Sequence, residues 1–129
     1  MEVDFNLRYS TELDAETIKD QVQTILDKDG IEYEINWHLS GEPYLTTETE
    51  LIDIVAASVA EETGVTPQCS TAGGTSDGRF ISPAGSQVVE FGPCNVTIHK
   101  INECIKIDDI DKLAAVYESV LKKMFQLIK

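Results

Sequence analysis

The sequence predicts an α/β chain of the α+β type in two differently patterned pieces. Val3, Phe5, Leu7 and Tyr9 alternate with polar neighbours, and Ile31, Tyr33, Ile35, Trp37 and Leu39 repeat the alternation. A period of two describes a strand with one buried face. Between these runs Ile18, Val22, Ile25 and Leu26 recur at helical spacing, so the first piece reads strand, helix, strand. Past residue 43, two longer helical stripes flank a short Val-Val run, the mark of a second, more helical piece.

Each element has its own start and stop signals. Thr11 or Asp14 can cap the first helix, and Lys28 with Gly30 closes it. Ser40-Gly41-Glu42-Pro43 interrupts the patterning and sets the expected boundary between residues 1–42 and 43–129. The second helix is expected to open at a capping box, Thr47-x-x-Glu50. It carries Leu51, Ile52, Val55, Ala56 and Val59 on one side and stops at Gly64. Gln87 to Phe91 reads as a strand whose Val88-Val89 pair suits a sheet covered on both faces. The last helix is expected from about Asp108, with Leu113, Val116, Tyr117, Val120, Leu121 and Met124 turned inward.

Composition bounds the function. With 129 residues, 42% hydrophobic and 26% charged, the chain has the make-up of one globular domain or two small ones. The net charge of −13 lies wholly in residues 1–64, which hold 16 Asp/Glu against 3 Lys/Arg, while residues 65–129 hold 7 of each. That balance counts against nucleic acid as a partner, because phosphate binding needs a basic footprint. The acidic half reads as a solvated surface or as an acidic docking patch. No apolar run approaches the roughly 20 residues that span a bilayer, so no membrane partner is expected. Met1 is followed at once by Glu2 and Asp4 with no apolar leader, so a cytoplasmic location is expected. Cys69, Cys94 and Cys104 are odd in number and lack C-x-x-C spacing, which fits structural thiols better than a disulfide framework.

Two polar, glycine-bearing stretches between core elements, residues 71–79 and 92–103, are where chemistry is expected. Gly73-Gly74-Thr75-Ser76-Asp77-Gly78 is neither a Walker A loop nor G-x-G-x-x-G. Paired glycines let backbone N–H groups approach an anion, the two hydroxyls add donors and Arg79 offers a carboxylate fork. An ordinary turn before a helix uses the same residue types. His99 and Glu103 are four apart, so one helical turn would set them on a common face. A zinc centre needs three or four ligands, and the other histidine, His38, sits in the first piece. A lone histidine between Ile98 and Ile101 is more often a packed, hydrogen-bonded residue than a ligand.

The runs GGTSDGRFI (73–81), QVVEFGP (87–93) and NVTIHKINEC (95–104), with FNLRYSTEL (5–13) and WHLSGEPYLT (37–46), closely resemble the C-terminal part of the dizinc aminoacylase/carboxypeptidase-like metallopeptidases. The branch most resembled hydrolyses N-succinyl-L,L-diaminopimelate to succinate and L,L-diaminopimelate. The resemblance implies that residues 1–42 are the second half of an inserted, ferredoxin-like dimerisation domain. Residues 43–129 would then be the last part of a zinc-peptidase-like α/β catalytic domain. It implies two zinc ions per active site in the whole enzyme and a homodimer or other self-association. His99 matches a zinc-ligating histidine. Gly74, Thr75 and Asn95 match residues that line the substrate pocket, and Arg8 matches an arginine associated with substrate carboxylate binding. Glu103 lies where it could hydrogen-bond beside His99. No motif here matches the general base or the metal-bridging carboxylate, so no catalytic residue is expected in this chain and it should be inactive alone. A sibling activity such as acetylornithine deacetylation, and a non-catalytic acidic dimerisation module, are the alternatives.

Overall fold

The computed structural model describes residues 1–74, 76–94 and 96–127. Its helices are α1 (Ala15–Lys28), α2 (Thr49–Thr63), the single turn α3 (Gly78–Ile81), continued by a 3-10 turn at Ser82–Ala84, and α4 (Ile107–Leu127). The chain divides into two compact units, Met1–Leu45 with Gly74–Ser86, and Thr46–Gly73 with Gln87–Lys129.

In the first unit α1 forms where the helical stripe predicts it. Asp14 is the N-cap, in an extended conformation, and its carboxylate accepts the Thr17 N–H at 2.7 Å. The helix closes as Gly30 takes φ +65°, with its N–H donated to the Asp27 carbonyl at 3.1 Å. Ile18, Val22 and Leu26 are half-buried, whereas Ile25 is exposed. The two period-two segments depart from expectation. Residues 3–9 and 31–39 form no β-ladder among the described residues, so the strand–helix–strand unit is not present as hydrogen-bonded strands. Side chains tie these segments instead. The Phe5 and Trp37 rings meet edge to face at 5.8 Å, Tyr9 Oη donates to Glu42 at 2.8 Å, and Tyr33 Oη donates to Asp27 at 2.8 Å. Alternation specifies which side chains prefer burial, but a strand also needs a partner's N–H and C=O groups, and these residues do not supply them to one another.

The second unit is built on α2 packed against α4. Val59, Val116 and Val120 are its buried core, with Ile54, Val55 and Phe91 packed around them. Ser58 is completely buried, and its hydroxyl accepts from Lys123 Nζ at 3.2 Å. The same ammonium reaches Glu61 at 2.6 Å. Leu113 is half-buried, but Tyr117, Leu121 and Met124, expected to face inward, are exposed. The capping box does not form: α2 begins one residue after Glu48, which is the N-cap and makes no side-chain cap bond. The Glu48 carboxylate accepts from Gln87 Nε2 instead. Gly64 ends the helix at φ +72°, as its position after the last apolar residue predicts. The expected strand at 87–91 is likewise not a strand. Val88 is held by one side chain, since the Thr46 hydroxyl donates to its carbonyl at 2.5 Å and accepts its N–H at 3.4 Å. Val88 and Val89 are only half-buried.

Candidate functional site

Arg8 and Gly74 belong to the first unit, His99 and Glu103 to the second. Thr75 and Asn95 lie outside the described residues.

In the first unit, the polar loop leads into α3. Ser76 Oγ sits 3.3 Å from Tyr44 Oη and accepts the Gly78 N–H at 3.1 Å, and the Phe80 N–H reaches the Asp77 carbonyl at 2.9 Å. Arg79 folds its guanidinium over the Phe80 ring, 4.7 Å from the centroid. Its aliphatic stem lies on Gly41, where an added Cβ would come within 2.9 Å of Arg79 Cδ. Gly41 therefore lets the loop pack against the segment that carries it. Gly74 differs, because its φ is ordinary and a Cβ there would meet nothing within 4 Å among the described residues. Neither its backbone conformation nor packing by those residues requires a glycine at 74. Arg8 is exposed and makes no ion pair among the described residues.

In the second unit, His99 does not ride on a helix. Residues 96–102 form two successive turns, closed by Lys100 N–H to the Thr97 carbonyl at 3.0 Å and Glu103 N–H to the Lys100 carbonyl at 3.2 Å. His99 and Asn102 are the third residues of these turns, and both take positive φ, 61° and 64°. That is the φ pattern of type II turns, which glycine normally fills. For a residue with a side chain the conformation costs about 1–2 kcal/mol. Asn and His are among the side chains that tolerate it best. The Thr97 hydroxyl spans the pair of turns, donating to the Cys104 carbonyl at 2.8 Å and accepting the Cys104 N–H at 3.0 Å. The expected helical face shared by His99 and Glu103 is thereby replaced, and no hydrogen bond or ion pair joins the two among the described residues. Both side chains are exposed. Thr97 is not among the site residues expected from the sequence. Its signal was a pair of turns ending on a residue type that accepts the left-handed region, Asn102, with a hydroxyl at the start.

A zinc centre takes three or more protein ligands. Among the described residues no three His, Cys, Asp or Glu side chains converge. The described residues thus do not make a zinc site among themselves; they offer His99 as one solvent-facing imidazole. No helix among the described residues is long and apolar enough to cross a membrane.

Comparison with known proteins shows the family. Residues 3–123 match the family described as Peptidase family M20/M25/M40, an α/β family, and the chain belongs to it. It is 51% identical over 128 residues to a protein named succinyl-diaminopimelate desuccinylase from Methylococcus capsulatus, covering 99% of this chain and 34% of the relative. Proteins of the same name from Thioalkalivibrio sulfidiphilus and Nitrosomonas eutropha are 51% and 53% identical, over 96% and 93% of this chain. The chain spans about a third of the length of the curated relatives it matches.

Proposed function

We propose that this chain supplies the substrate-orienting part and one zinc ligand, His99, of a dizinc amidohydrolase that cleaves N-succinyl-L,L-diaminopimelate to succinate and L,L-diaminopimelate. The observation that carries this reading is identity above 50% over almost the whole chain to several relatives of that name. The site residues support it. Arg8, exposed and without an acidic partner among the described residues, presents a guanidinium fork suited to one of the substrate's carboxylates. Gly74, where no fold constraint demands glycine, leaves the backbone open to close approach by a carbonyl or carboxylate. Thr75 and Asn95, which the resemblance matches to pocket-lining residues, would add side-chain donors, and Glu103 contributes a carboxylate in the His99 loop.

Hydrolysis adds water across the amide: a C–O bond forms, the C–N bond breaks and the amine leaves with a proton. Nothing in this chain is assigned the proton transfer, so the chain by itself is inactive. In the full assembly residues 1–42 form half of a dimerisation domain and residues 43–129 the end of the catalytic domain, working in the cytoplasm as a homodimer.

The test is a chimera in which this chain replaces the matching third of the Methylococcus capsulatus relative. It is expected to hydrolyse N-succinyl-L,L-diaminopimelate in preference to N-acetylornithine, and His99→Ala should lower the rate by orders of magnitude. Preference for N-acetylornithine would favour the sibling activity. A folded chimera inactive on both substrates would favour a non-catalytic dimerisation module.

A further inference from the structure

His99 sits in a conformation that its neighbours do not enforce by packing, since residues 98 to 106 are all exposed. The two turns around it are each closed by a single main-chain hydrogen bond. What joins their ends is the Thr97 side chain. One hydroxyl meets both main-chain groups of Cys104, donating at 2.8 Å and accepting at 3.0 Å, as a paired strand would through its own N–H and C=O. Thr46 makes the same pair of bonds to Val88, so the unit twice uses a threonine hydroxyl to meet both main-chain groups of another residue.

We propose that Thr97 is the positioning residue for His99. By clasping Cys104 it closes the loop between them and holds His99 at positive φ, so that the imidazole is presented in one direction before any ligand arrives. The proposal rests on the reading above for what His99 does, but not for how its turn is held. Valine at 97 keeps the shape of threonine and removes both bonds, whereas serine keeps the hydroxyl. A group that merely fills space would show the reverse preference.

The experiment uses the isotope-labelled 129-residue chain without metal or substrate. It reads amide hydrogen exchange at Cys104 and the HN–Hα coupling of His99, which reports φ. Thr97→Val is expected to speed exchange at Cys104 about tenfold or more and to average the His99 coupling. Thr97→Ser should preserve both. His99→Ala should leave Cys104 protected, because the clasp does not need the imidazole. Amides of α2 and α4 serve as the control that each variant stays folded. An unchanged Cys104 amide and His99 coupling in Thr97→Val would overturn the proposal, as would a serine variant as loose as valine. Failure of the chimera to hydrolyse either substrate would count against the proposed function alone.

Discussion

Asp14 is the clearest case of one residue setting local structure. Its carboxylate accepts the Thr17 N–H at the start of α1, and that bond holds its pKa below the ordinary 3.8 of an aspartate. A group whose folded pKa is lowered contributes stability that is present above its unfolded pKa and lost as pH falls through the folded value. Helix α1 should therefore loosen below about pH 4. Asp14→Ala should lower the melting temperature at neutral pH and flatten this part of the acid profile, while Asp14→Asn should retain the cap and lose only the pH dependence; circular dichroism during acid titration reads both. Tyr33 is moved the opposite way, since its hydroxyl donates to Asp27 and its pKa is raised. Asn102, at φ 64°, gives a second test. Asn102→Gly should be tolerated, whereas Asn102→Val should destabilise the His99 loop by about 1–2 kcal/mol, read as faster exchange at Glu103 and Cys104. Asp14 was legible in advance because capping depends on neighbours in sequence. The role of Thr97 was not, because its partner lies seven residues away across two turns.

At the scale of elements, α2 and α4 form the only helix pair in the second unit to share buried side chains among the described residues. Val116 is 0% exposed and Val120 9%, so truncation at 116 leaves the fuller cavity. Val116→Ala should cost about 2–3 kcal/mol and Val120→Ala less, measured by urea unfolding with an unchanged slope. The ion pair from Lys123 to Glu61 is more exposed, with Glu61 at 59%. Glu61→Gln should cost under about 1 kcal/mol, and less still at high salt. The helices themselves were legible from their apolar spacing and from Gly30 and Gly64. The three expected strands were not realised, because alternation marks a preferred face and leaves the hydrogen-bonding partner unspecified.

For the whole molecule, the surface area is the informative quantity. The chain exposes 10730 Å². Two wholly separate compact bodies sharing its mass would expose about 8,000 Å². Large apolar side chains account for part of the excess: Val3, Phe5 and Leu7 in the first unit, and Tyr117, Leu121 and Phe125 on α4. Contiguous apolar surface with unpaired main chain promotes association. The isolated chain should therefore self-associate at micromolar concentration, and light scattering should show a mass above 14.3 kDa. A monodisperse monomer would contradict this. With His99 as its one assigned ligand, it should also fail to retain two zinc ions per chain after dialysis, as read by elemental analysis.

The sequence by itself determined the three longer helices, the stop at Gly64, a choice of Thr11 or Asp14 as the first cap, the absence of a basic nucleic-acid footprint and, through its motifs, the peptidase family. These depend on side-chain identity at short spacing, where local chemistry is decisive. Only the tertiary structure decided that the period-two segments would remain unpaired, that Tyr117 and Leu121 would face solvent, and that His99 would occupy a strained turn clasped by Thr97. Each of these outcomes depends on which distant groups come within hydrogen-bonding or packing distance, and spacing along the chain does not encode that.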